Sequence, residues 1–461
     1  MKKLITNGLV VTADHVQRAD VAIENGIVTA IGHKLGDSGA EVINAEGRYV
    51  FPGGIDPHTH LDMPFGGTVT VDDFESGTRG FACGGTTTII DFCMHERGKS
   101  LRHSLDIWHE KARGKAVIDY GFHMMAGDLQ DDILDEIPLM VYEHGVMSFK
   151  VFMAYKNTLQ ADDKTLFRVL QKAKSAHALV QVHAENGDVI DALVEDALAQ
   201  GHVQPQYHAL TRPPAAEGEA TGRAIELAKL AGAPLYIVHV TCQQAVDKIG
   251  EARRRAQPVF GETCEQYLVC DDTAYAGPGF EGAKYVMSPP IREKSHQEAL
   301  WNGIFNGDIM VLGSDQCSFN FHGQKDLGKD DFSKIPNGGP SGEDRMGILY
   351  EYGVVQGRIG LSKFVSLTST TAAKLFGLFP KKGTIAVGSD ADVVIWDPHV
   401  ERTISAETHH LQCDYSLFEG FKVHGQATDV LVRGEYVVRD RAFVGTPGTG
   451  QYLRGKPFGY Q

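Results

Sequence analysis

Residues 54–60 read GIDPHTH, and the architecture of the chain follows from them. A short, partly apolar start runs directly into His58 and His60. On a strand, where side chains alternate, these two would point to the same side. Seven further runs in the middle of the chain share this design, an apolar strand-length segment carrying or ending on a polar residue: 87–91, 117–123, 148–152, 179–183, 235–239, 259–263 and 309–315. The stretches between them are of helix length, and 162–177 and 218–231 show apolar residues three and four apart. Eight strand–helix units in roughly 320 residues are the arithmetic of an α/β fold of the (β/α)8, or TIM-barrel, type, which gathers polar side chains at the C-terminal ends of its strands.

Outside that region the pattern changes. Residues 4–31 hold short β-rich runs broken by Asn7-Gly8 and Asn25-Gly26, a pairing that favours hairpin turns because both positions tolerate positive φ. Similar runs return at 383–387, 391–396 and 430–438, the last with a turn at Gly434-Glu435. The expected organisation is one β-sandwich built from both termini, 1–52 plus 380–461 with a C-terminal tail, and a catalytic barrel at 53–379. Two independent β modules are the alternative, although the N-terminal one alone would be small for a stable core.

Composition excludes several function classes. Of the 461 residues 42% are hydrophobic and 22% charged, so the chain can bury enough surface to fold. Lys+Arg number 44 against 59 Asp+Glu, a net charge of −15, which argues against nucleic-acid or anionic-membrane partners. No apolar run approaches the roughly 18 residues that span a bilayer. The opening MKKLITNGLVV turns polar after Ile5 and lacks a secretion-signal core. Seven cysteines without a CxxC pair suit a reducing compartment, so the expected location is the cytoplasm.

Metal-ligating residue types close the strand runs: His58 and His60 on the first, His183 on the fifth, His239 on the sixth and Asp315 on the eighth. Any one of the 20 histidines is more readily a hydrogen-bonded core residue, and a strand-end aspartate is often a helix cap. Their joint placement points to a metal centre. Lys150, in the interior run SFKVF, adds to this. A buried ammonium without a partner is disfavoured, and burial lowers a lysine pKa. A neutral amine can take up CO2 to form a carbamate, which bridges two cations as a carboxylate does. On its own, such a lysine would more simply snorkel out or pair with an acid.

Motifs spread over essentially the whole chain support this reading: DPHTHLDMPFGGT, GGTTTIIDF, SFKVFMAYKN, LVQVHAENGDVID, YHALTRPP, LYIVHVTC, KYVMSPPIREK, GSDQCSF, KIPNGGP and TSTTAAKLFGLFPKKGTIAVGSDAD. Together they resemble the bacterial D-hydantoinase/dihydropyrimidinase branch of the amidohydrolase superfamily. The resemblance implies a barrel with a β-sandwich and two divalent metal ions, most simply zinc, with manganese or cobalt as alternatives. His58, His60, carboxylated Lys150 and Asp315 would hold the more buried ion, and His183, His239 and Lys150 the other. Tyr155 would be the oxyanion residue, and the main chain at Ser288 and Asn337 would hold the ring amide. Phe65 and Phe152 would pack against the substrate. A homotetramer or homodimer is implied. The chain departs from the family pattern at Glu265, where proline is usual, and at Met287, where an aromatic is common.

The expected reaction is metal-dependent hydrolysis of a cyclic amide in hydantoins or dihydropyrimidines to N-carbamoyl amino acids. A hydroxide shared by the two ions would attack the ring carbonyl. Asp315 would carry the proton to the leaving nitrogen, and Tyr155 would donate to the oxyanion. Dihydroorotase-like relatives carry an arginine two residues past HxH. Asp62 stands there instead and would repel an anion, favouring a neutral cyclic ureide or imide. An allantoinase-like activity and a non-catalytic scaffold relative are the alternatives, although scaffolds lack most of the ligands that this chain retains. Gly66-Gly67 and the glycines after Asn337 lack the spacing of phosphate-binding loops, and Cys317 reads as a packed thiol.

Overall fold

All eight expected barrel runs form strands in the computed structural model, which describes residues 2–36, 39–127 and 131–459. They are β1 (Gly54–Thr59), β2 (Thr86–Cys93), β3 (Asp119–Met125), β4 (Ser148–Phe152), β5 (Leu179–His183), β6 (Leu235–Ile237), β7 (Val259–Cys264) and β8 (Ile309–Gly313). Neighbours in sequence pair in parallel, in the order β1 to β8. A parallel bridge between Thr59 and Gln316 closes the ring, where the His60 N–H donates to the Gln316 carbonyl at 2.8 Å. Nearly every residue of these strands is buried, as expected when helices cover one face and packed side chains fill the other.

The outer helices follow the spacing read from the sequence. The helix Asp163–Ser175 starts where the Asp162 side chain accepts from the Thr165 N–H at 2.8 Å, and it buries Leu166, Val169, Leu170 and Ala173. The helix Pro214–Ala231 begins four residues earlier than expected. Proline suits a first helical position, because the N–H it lacks would have no partner there.

Both chain ends enter the sandwich. One sheet has four strands in the order Ile27–Gly32, Asp20–Glu24, Lys2–Thr6, Glu41–Asn44. In the second sheet, of seven strands, Tyr49–Pro52 pairs antiparallel with Val393–Thr403, with Val393 opposite Pro52 and Trp396 opposite Tyr49. Ile5, Val10, Val21, Val50, Val393, Ile395 and Leu431 form one buried cluster drawn from both ends. Two independent modules are therefore excluded.

Three local readings change. Asn25-Gly26 does make a hairpin, with φ of 52° and 81°, but Asn7-Gly8 carries the chain from one sheet to the other. A Cβ at Gly8 would lie 2.4 Å from Val50 Cγ2, so this glycine serves a close approach between layers. Residues 383–387 are not a strand. The segment after Phe443 leaves the sandwich and runs along the barrel: the Leu453 N–H donates to the Tyr120 carbonyl at 2.7 Å, and that of Phe458 donates to the His177 carbonyl at 2.7 Å.

Candidate active site

Asp56, ahead of the HxH pair, joins the two ends of the barrel: its Oδ1 accepts from the N–H groups of His58 and Ser314, both at 3.1 Å. This brings the ends of β1 and β8 together. His58 Nε2 and His60 Nε2 lie 3.1 and 3.2 Å from Asp315 Oδ1. Ligand atoms of His58, His60 and Asp315 all fall within 4.8 Å of one another, a cluster able to hold a metal ion. From β4, Lys150 Nζ reaches His58 Nε2 at 2.9 Å, and on the far side His183 Nδ1 meets His239 Nε2 at 2.9 Å. All six expected ligand residues therefore converge at the C-terminal ends of the strands.

The surroundings set which ring nitrogens face inward. His58 Nδ1 contacts Glu262 Oε1 at 2.6 Å, and His183 Nε2 contacts Glu185 Oε2 at 2.8 Å. A carboxylate accepts, so each of these nitrogens donates, and the opposite one faces the centre. His60 Nδ1 and His239 Nδ1 have no hydrogen-bond partner among the described residues. Burial draws the His60 imidazole down to about 4 and the Lys150 amine to about 8. Asp315 is held well below the ordinary carboxylate range: burial acts in the opposite direction, but His58 and His60 outweigh it. Four imidazoles, an ionised carboxylate and a buried amine with no carboxylate partner among the described residues make a donor set that suits a nitrogen-binding divalent cation.

Backbone strain marks the same place. Tyr155, His239 and Asp315 are non-glycine residues at φ of 67°, 39° and 54°. Such conformations cost about 1–3 kcal/mol each and tend to persist where surrounding structure aims a functional group.

A pocket of about 440 Å³ opens above the cluster. His60, Lys150, His183, His239 and Asp315 line its floor, and Met63, Phe65, Met94, Met125, Phe152 and Leu159 give it an apolar wall. Tyr155 stands between them, its ring 5.5 Å from Phe65, 6.0 Å from Phe152 and 5.3 Å from His183. Burial pushes the Tyr155 hydroxyl pKa up, so it remains a donor, and it hydrogen-bonds toward Ser288 and Asn337. Asn337 Nδ2 in turn donates to Ser288 Oγ at 3.1 Å. Asp62 does not line the pocket; its carboxylate lies 3.9 Å from Lys111 Nζ. The expectation that Asp62 repels an anionic substrate therefore loses its structural basis. Cys317 is a buried lining thiol, and burial pushes its pKa up. Glu265 and Met287 are buried and absent from the lining.

Sequence reasoning missed Glu262. Its Oε1 also accepts from the His239 N–H at 3.1 Å, and its Oε2 accepts from the Tyr236 hydroxyl at 2.7 Å. The signal that singled out Lys150, a charge inside a buried strand, was present here too. Gly313 leaves room for this carboxylate, since a Cβ there would lie 3.0 Å from both Glu262 Cδ and His58 Cβ.

Known proteins resemble this chain along its whole length. The amidohydrolase family profile matches residues 49–437. A D-hydantoinase of Geobacillus stearothermophilus is 63% identical over 459 residues, covering 100% of this chain and 98% of that protein. A D-hydantoinase of Streptomyces coelicolor is 51% identical, covering 98% and 97%. The crystal structure of dihydropyrimidinase from Brevibacillus agri NCHU1002 superposes with a TM-score of 0.99 at 60% identity, over 100% of both chains. Fold, convergent ligand set and identity along the full length place this chain in the amidohydrolase family, in its D-hydantoinase/dihydropyrimidinase branch of cyclic amidohydrolases.

Proposed function

We propose that this enzyme hydrolyses the cyclic amide bond of hydantoins and dihydropyrimidines, giving N-carbamoyl amino acids. The observation that carries the reading is the meeting of six ligand-type side chains with the Tyr155–Ser288–Asn337 network around one apolar pocket. His58, His60, Asp315 and Lys150 would hold one divalent cation, and His183, His239 and Lys150 a second, with zinc the best match and manganese or cobalt as substitutes. Lys150 would serve as a carbamate, a reading supported by its burial against His58 without a carboxylate partner among the described residues. When bound, the cations supply Lewis acidity to the attacking water and to the ring carbonyl.

The chain's own groups do the rest. The main chain at Ser288 and Asn337 fixes the ring amide, and Phe65 and Phe152 pack against the ring and its substituent. Asp315 accepts the proton of the water as its oxygen bonds to the carbonyl carbon. Tyr155 donates to the oxygen that gains charge. As the carbon–nitrogen bond breaks, Asp315 returns the proton to the ring nitrogen.

A barrel at 53–379 with a sandwich of 1–52 plus 380–461 is the matching domain division. A homotetramer or homodimer is the assembly that the family resemblance implies. Free cysteines, most of them buried, support a cytoplasmic location. The test is a panel of hydantoin, 5-substituted hydantoins, dihydrouracil and allantoin, with metal analysis of the purified protein. Ring opening of hydantoins or dihydrouracil by wild type, abolished in folded Asp315→Ala, is expected. Preference for allantoin, or metal-free protein without turnover, would overturn the reading.

A further inference from the structure

Lys325 is fully buried, and the reaction described above does not use it. Its Nζ donates to three main-chain carbonyls: Val286 at 2.7 Å, Pro336 at 2.7 Å and Gly338 at 2.6 Å. Three acceptors on one nitrogen require three N–H donors, which the ammonium form supplies and the neutral amine does not. No carboxylate pairs with it among the described residues, so carbonyl dipoles alone compensate the charge.

These carbonyls lie in the two segments that carry Ser288 and Asn337. Val286 is two residues before Ser288, and Pro336 and Gly338 flank Asn337. Among the described residues two hydrogen bonds join the segments directly: the Gly338 N–H donates to the Val286 carbonyl at 3.0 Å, and Asn337 Nδ2 donates to Ser288 Oγ at 3.1 Å. Gly338 is held at φ 139°, where a Cβ would lie 2.3 Å from the Cys317 carbonyl oxygen. The backbone around Asn337 therefore has little conformational preference of its own for this shape, and an outside group must hold it.

We propose that Lys325 is a positioning residue for substrate recognition: its ammonium ties the 286–288 and 336–338 segments into one rigid edge, so that the main chain at Ser288 and Asn337 meets the ring amide at a set spacing. The inference rests on the hydantoinase reading for what that edge binds, but not for the clamp itself. A charged hydrogen-bond donor reaching three carbonyls also explains why a lysine is buried at the start of the short 3-10 helix Lys325–Gly328, where a polar residue would ordinarily face water.

The test uses full-length, metal-loaded Lys325→Met, which keeps the side chain's length without its donors, and Lys325→Gln, which keeps two of them. Hydrogen–deuterium exchange should rise in peptides covering 284–290 and 335–340 in the Met variant, and less in the Gln variant, while peptides from β1, β4 and β8 stay unchanged. With hydantoin, KM should rise about ten-fold or more in the Met variant while kcat falls by less than about three-fold. Metal content should match wild type. Unchanged exchange in both segments, a loss confined to kcat, or loss of metal would overturn the proposal. Failure of both variants to fold would also overturn it, marking Lys325 as a folding determinant. Wild type that opens no cyclic ureide would sink the functional reading instead, leaving the exchange comparison to judge the clamp.

Discussion

Tyr155 is held at φ 67°, with its ring between Phe65, Phe152 and His183. A hydroxyl aimed this way gains most when charge develops on the substrate oxygen, so Tyr155→Phe should lower kcat by about 10²–10³-fold with little change in KM. Steady-state kinetics on hydantoin decides this, and an effect confined to KM would reduce Tyr155 to a binding group. Glu265 presents the opposite case, a buried acid with no evident task. Neither of its carboxyl oxygens has a hydrogen-bond partner among the described residues. Burial first, and then the charge of Asp56, push its pKa well above the ordinary 4.5. A carboxyl with a raised folded pKa contributes its stability below the unfolded value and loses it as pH rises toward the folded value. Glu265→Gln removes that loss, so the variant should gain on wild type by about 1 kcal/mol or more between about pH 5 and 8. Thermal unfolding at the two pH values measures it, and a pH-independent difference would contradict the assignment.

Two Asn-Gly pairs of identical sequence do different work because their flanking strands have different partners. At Asn25-Gly26 the flanking strands pair with each other, Glu24 opposite Ile27, and the turn needs positive φ at both residues. A Cβ at Gly26 would also lie 2.8 Å from the Arg433 carbonyl oxygen. Gly47, at φ 74°, has open space where its Cβ would be. Both alanine variants carry the conformational cost of about 1 kcal/mol, and Gly26→Ala adds a steric one. Denaturant titration should therefore rank Gly26→Ala below Gly47→Ala in stability; equal losses would mean the turn yields freely. Among the barrel strands, β7 carries the same mark as β4, a charge inside a buried strand. Its Glu262 orients His58 from β1 and receives the hydroxyl of Tyr236 from β6.

Across the whole chain, barrel and sandwich are joined by a buried charge cluster. Lys382 Nζ lies 2.6 Å from Asp119 of β3, 3.0 Å from Asp390 and 2.7 Å from Asp392, and Arg433 also pairs with Asp119. Removing the lysine leaves buried carboxylates without that partner, so Lys382→Met should cost about 3–5 kcal/mol. The cluster lies on the strand-start side of β3, away from the ligand ends, so the metal content of the folded variant should match wild type. Urea unfolding and metal analysis check both parts, and a stability loss below about 1 kcal/mol would mean water already screens the cluster. The C-terminal segment reinforces the same junction, running from the sandwich along β3 and hydrogen-bonding to Tyr120 at both N–H and carbonyl.

Strand runs and the residues that end them were readable from the chain because a strand's alternation is local. His58 and His60 must share a side whatever surrounds them, and eight such runs leave few ways to close a sheet. Lys150 was conspicuous for the same reason, a charge in an apolar strand. Contacts between distant segments had no such local mark. The pairing of His58 with Glu262 spans 204 residues, and Lys325 opens a short 3-10 helix where a lysine looks ordinary. Asp62 stands two residues past HxH, yet its backbone turns at φ 51° and its side chain leaves the pocket. Periodicity and side-chain chemistry select the fold and the ligand types. Which nitrogen faces the centre, which carboxylate turns away and which loops are tied together depend on contacts that exist only once the barrel has closed.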